Sequence, residues 1–154
     1  MLAPLSRDWI AQHIPHQGSM CLIDVVLAWD DASVHCRSTT HLLADNPLRA
    51  EGRLGMLCGV EYAAQCIAVH CVLASPPSGH SGPLAPGYIV ALHDIECHAD
   101  RLDAGTEPLD MVAIRQAVVP GGAVYVFTIH CAERLLQSGR ITLKLPIQAL
   151  NIKV

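Results

Sequence analysis

The sequence predicts an α+β domain in which a strongly curved antiparallel sheet wraps around one long buried helix. Three observations carry this. The stretch Gly55–Ala74, "GMLCGVEYAAQCIAVHCVLA", is apolar on every side, and a helix apolar all round is a buried one. Four strand-like runs follow it, separated by clusters of glycine, proline and polar residues that read as turns. At 154 residues the chain is long enough to bury one core and too short for two, so residues 1–154 read as a single domain.

Each element has its own local signal. "SRDWIAQHI" (Ser6–Ile14) opens with a serine N-cap and carries Trp9, Ile10 and His13 on one side, a short helix that Pro15 stops. "MCLIDVVLAW" (Met20–Trp29) is long, apolar and β-branched. "SVHCRSTT" (Ser33–Thr40) follows across Asp30-Asp31 as its hairpin partner. "HLLADNPLRAEGRL" has turn residues without periodicity and reads as an irregular loop. After the long helix, Ser75–Gly87 is a proline- and glycine-rich loop. The four strands are then expected in "YIVALHDIECHA", "PLDMVAIRQAVV", "AVYVFTIHCAERL" and "RITLKLPIQAL", with turns at Pro120-Gly121-Gly122 and Gln137-Ser138-Gly139. A wholly apolar helix followed by an antiparallel meander is best buried by a sheet that curls around it. That arrangement is the hot-dog fold.

Composition narrows the function. The chain is 51% hydrophobic and only 16% charged, an apolar excess that suits a subunit interface or a greasy ligand. No run approaches the ~18 apolar residues of a membrane span. The N-terminus lacks a basic segment followed by an apolar one, so a cytoplasmic protein is expected. A net charge of −4 without a basic cluster argues against nucleic acid. Seven cysteines and nine histidines show no ligand-type spacing; Cys66/His70 and "HDIECH" are the best local candidates, and no metal is expected.

Three motifs in order resemble a family. "IPHQGSMCLIDVV" (Ile14–Val26), "DNPL" (Asp45–Leu48) and "GVEYAAQ" (Gly59–Gln65) stand in the order and at the spacing of hot-dog 3-hydroxyacyl-acyl-carrier-protein dehydratases, in particular the group found with aryl-polyene gene clusters. The resemblance runs from about Ile14 to Gly139. It places Glu61 on the family's catalytic helix carboxylate and Gln65 on the residue one turn later. The family's usual "H-F-P-G" histidine has no counterpart: that loop reads "RAEGRLG" (Arg49–Gly55) here. Either another base has replaced it or dehydration is lost.

Dehydration of a 3-hydroxyacyl thioester needs a base for the proton beside the carbonyl, an acid for the departing hydroxyl and donors for the enolate-like oxygen. Glu61 serves as the acid only if burial keeps it protonated. Backbone N–H groups at the helix start, around Gly55 and Gly59, suit the thioester carbonyl, with Gln65 and Cys58 nearby as further substrate contacts. His16 is the first candidate base and His41 the second. The bland alternatives are a structural His16 and a Glu61 ion-paired with Arg53 or Arg115. Gln65 then serves Glu61 or the backbone, and histidines 93, 98 and 130 are packing or surface residues. Cys58 lacks the electropositive setting of a nucleophile.

The sequence therefore points to a hot-dog dehydratase acting on an acyl chain held by acyl carrier protein or coenzyme A, without a cofactor. It is expected to be a homodimer or higher oligomer, or to pair with another hot-dog protein. An apolar tunnel would hold the acyl chain, and Arg49, Arg53 and Arg101 are scattered candidates for docking an acidic carrier. Two rivals remain: an acyl thioesterase, and a catalytically silent subunit that shapes the tunnel of an active partner.

Overall fold

The computed structural model describes residues 2–75 and 87–145. Ser6 caps the first helix, α1 (Arg7–His13), its hydroxyl accepting from the Trp9 amide. The two residues before it form a short strand, β1 (Leu5–Ser6), that the sequence did not suggest. Next come β2 (Val25–Trp29) and β3 (Ser33–Ser38). The Asp30 carboxylate closes the turn between them by accepting from the Ala32 and Ser33 amides at 2.8 and 2.7 Å, an aspartate turn of the usual kind.

The long helix, α2 (Cys58–Leu73), is followed by β4 (Tyr88–Cys97), β5 (Leu109–Val119), β6 (Gly122–Cys131) and β7 (Arg134–Lys144). All seven strands join one antiparallel sheet in the order β1-β2-β3-β5-β6-β7-β4. α2 lies on this sheet against β3, β5 and β6. Ala63, Cys66, Ile67 and Val69 of the helix share one core with Val34, Met111, Tyr125 and Ile129 of the strands.

Four expectations are corrected. The strand foreseen over Met20–Trp29 begins only at Val25. Residues Gly18–Met20 form a 3₁₀ turn, and the Leu22 backbone is held by side chains: its amide donates to Gln65 and its carbonyl accepts from the hydroxyls of Ser38 and Thr40. A backbone satisfied in this way needs no ladder partner.

The turn read at Gln137-Ser138-Gly139 lies inside β7. The chain reverses instead at Ala132-Glu133, with Ala132 at φ 53°. Gly139 is needed for a different reason, because a side chain there would strike Ile95 and Phe127. Of the four strands after α2, β5, β6 and β7 are consecutive neighbours, whereas β4 sits beyond β7 at the sheet edge. The helix starts at Cys58 and not at Gly55, after a tight turn in which the Cys58 and Gly59 amides donate to Gly55 and Met56. Most of the loop expected over Ser75–Gly87, and the end of the last expected strand, fall outside the described residues.

Candidate active site

Pro15 ends α1 and turns the chain so that His16 faces α2. There its Nε2 lies 3.2 Å from Glu61 Oε1. One turn along the helix, Gln65 joins the two segments. Its Oε1 accepts from the Leu22 amide at 2.8 Å, while its Nε2 donates to the Met20 carbonyl at 2.7 Å and to Glu61 Oε1 at 3.2 Å. Glu61 Oε1 thus takes both side-chain hydrogen bonds, and Oε2 has no hydrogen-bonding partner among the described residues.

These bonds decide the charge of Glu61. The His16 ring is the main influence holding the carboxyl below its ordinary pKa; desolvation pushes it up and the Gln65 amide again pulls it down. Glu61 is ionised at neutral pH, contrary to the expectation of an acid kept protonated by burial. An ionised acceptor requires the hydrogen on Nε2 of His16. Nδ1 of the same ring is buried without a partner. Nε2 is thus engaged with Glu61, and Nδ1, which carries the ring's lone pair in that tautomer, is shielded from solvent. Arg53 and Arg115, the alternative partners for Glu61, hold the backbone carbonyls of Asp100 and Asp31 instead.

A cavity of about 330 Å³ opens beside this pair. Its floor is the α2 face running from Glu61 through Ala64, Ala68 and Cys71, and Tyr88, Ile89, Leu143 and Leu145 contribute to the far walls. An apolar cavity with a few convergent polar groups at one end is the usual form of a small-molecule site.

The remaining expected contacts lie elsewhere. Gly55, Cys58, Gly59 and Gln65 do not line the cavity. The amides of Cys58, Gly59 and Val60 are engaged with the carbonyls of Gly55, Met56 and Leu57, so none of the three is left to receive a thioester oxygen. Gly59 is where Gln137 of β7 comes close to the helix, and any side chain there would meet its amide oxygen. The Cys58 thiol points to the Leu48 carbonyl at 3.7 Å, and burial raises its pKa. Gln65 is wholly buried with its amide engaged by protein groups.

His41, the second candidate base, is also wholly buried. Arg49 holds its carbonyl and pairs with the almost buried Asp103 at 2.7 Å. Neither ring nitrogen of His41 completes a hydrogen bond. Burial lowers its pKa, against a smaller opposite pull from the Glu107 carbonyl. His70, inside α2, is buried between the Tyr125 hydroxyl and the Asp30 carbonyl, and burial lowers its pKa as well. The unfolded chain protonates both rings near pH ~6.5, whereas the folded chain does so only at lower pH. Their contribution is complete above that pH and is lost as the pH falls towards the folded values. The thermal midpoint should drop between pH ~7.5 and ~5.5, and a His41→Gln, His70→Gln double variant should show a flatter dependence. An equal slope in both proteins would remove these two rings as the cause.

Comparison with known proteins places the chain and its fold. The sequence pattern of the ApeP-like family, described as ApeP dehydratase, matches residues 9–152. No curated protein is similar enough in sequence to count as a relative. Among solved structures, the dehydratase heterocomplex ApeI:P from Xenorhabdus doucetiae is similar with a TM-score of 0.74 at 23% identity, over 96% of this chain and 98% of that one. Thioesterase superfamily member 2 from zebrafish has a TM-score of 0.61 at 14% identity, over 92% and 99%. A mutant thioesterase from Pseudomonas aeruginosa reaches 0.58 at 15% identity, over 81% and 82%. These likenesses establish the hot-dog fold.

Proposed function

Because the chain belongs to the ApeP-like dehydratase family, we propose that it removes water from a 3-hydroxyacyl thioester carried by acyl carrier protein or coenzyme A, giving the trans-2-enoyl thioester. The observation that carries this reading is the Glu61–His16 pair at one end of an apolar cavity. Glu61 Oε2 takes the proton from C2 of the substrate and the C2–C3 double bond forms as the C3 hydroxyl departs. The same carboxyl then gives that proton to the hydroxyl, so that water leaves and the glutamate returns to its ionised state. His16 and Gln65 hold Oε1 and aim Oε2 at the substrate, which makes them positioning residues.

Pairing with a second hot-dog protein fits this reading. β4 is an edge strand whose Tyr88, Val90 and Leu92 are exposed, and the similar structure from Xenorhabdus doucetiae is a heterocomplex. Against a silent subunit stands the complete Glu61–His16 pair within one chain.

The test is mass spectrometry of a 3-hydroxyacyl carrier protein after incubation with the purified protein, alone and with a hot-dog partner. Loss of one water with the acyl group still attached is the expected result. Release of free acid would make the protein a thioesterase. Loss of water only in the presence of the partner, and undiminished by Glu61→Gln in this chain, would make it a silent subunit; no change under either condition would overturn the dehydratase reading.

A further inference from the structure

We infer that Ala68 is the specificity-determining residue that admits a medium-length linear acyl chain into the cavity along α2; this rests on the dehydratase reading of the Glu61 site. Among the large side chains of the helix, Tyr62 and Val69 are packed into the core, and Ile67 is buried in it while bordering the cavity. The positions that follow Glu61 on its half-open face are Ala64 and Ala68. Small residues on a helix normally let a neighbouring element close down on it. Here Leu143 and Leu145 at the end of β7 and Tyr88 and Ile89 at the start of β4 stand off, leaving about 330 Å³. The cavity is open on the side of Tyr88 and Ile89, both exposed, so a chain can enter from there.

The dimensions suit one occupant. At about 1.5 Å of rise per residue, Ala68 lies roughly 10 Å and Cys71 roughly 15 Å along the axis from Glu61. At about 30 Å³ per water-sized group, the cavity takes on the order of ten carbon-sized groups. With C2 and C3 at Glu61, a chain running towards Cys71 passes directly over the Ala68 methyl. A four-carbon acyl group ends before reaching it. Ala68 therefore separates long from short substrates, while Glu61 treats both alike.

The experiment compares wild type with Ala68→Val, Ala68→Leu and Ala68→Phe on 3-hydroxybutyryl and 3-hydroxydecanoyl carrier protein. Binding of decanoyl carrier protein is measured in parallel, since it needs no turnover. In the larger two variants, kcat/KM for the decanoyl substrate should fall at least about tenfold, the usual scale for one misfitting group in an apolar pocket. The butyryl substrate should change less than about twofold, and Ala68→Val should lie between. Retained thermal midpoints exclude misfolding, since Ala68 is only half-buried on the cavity face. An equal loss on both substrates, or no loss on either, would overturn the inference. If wild type turns over neither substrate but binds decanoyl carrier protein and Ala68→Phe does not, the cavity assignment stands and the dehydratase reading falls.

Discussion

Glu61→Gln is expected to lower kcat for dehydration by about 10²–10⁴-fold, the range associated with losing a positioned proton-transfer group. The amide has the shape of the carboxyl, and its oxygen can still accept from His16 Nε2 and Gln65 Nε2. What disappears is the negative charge that lets Oε2 take the C2 proton. The fold should survive, since Glu61 is only partly buried and makes no ion pair with a lysine or arginine among the described residues. Thermal unfolding measured beside the rate separates the two effects. A Glu61→Gln protein that folds and keeps more than about a tenth of the rate would show that the proton moves by another route.

His16→Ala has the second-largest expected effect, and its form is more informative than its size. At neutral pH the rate should fall about 10- to 100-fold, because Glu61 loses the group that orients it and small misplacements of a reacting atom are costly. The pH profile carries the mechanism. In the wild type the His16 hydrogen bond is the largest influence holding the Glu61 pKa down, against desolvation. Without it, desolvation has less to oppose it and the carboxyl pKa rises. Since the ionised form is the active one, the acid limb of kcat/KM should move to higher pH in the variant, and activity should recover in part as the pH is raised. A loss of equal size at every pH, with the acid limb unmoved, would mean that His16 itself accepts the substrate proton.

The helix and the site were legible to different degrees. A segment apolar on all sides can only be a buried helix, and its polar exceptions, Glu61, Gln65 and His70, are the residues whose partners the structure now supplies. His16 stood out because it follows a proline stop and precedes an apolar run, a position that has to flank the helix. Its role was not legible, because the orientation of the ring follows from a Glu61 contact made across the fold. The "QSG" triplet misled for a related reason: Gly139 avoids a clash with Ile95 and Phe127, and sequence does not distinguish a glycine needed for space from one needed for a turn. The place of β4 beyond β7 was hidden as well, since local patterning says which residues are strands and not which strands are neighbours.

The Gln65 amide has a consequence for how the protein folds. It joins groups separated by 43 and 45 positions in the chain, and the far wall of the cavity arrives only when β4 has found β7. Closing such distant contacts is slow compared with forming a helix. α2 can therefore become helical well before any active centre exists. The centre is a property of the finished topology, and fragments carrying the helix alone hold its carboxylate without the groups that set its charge.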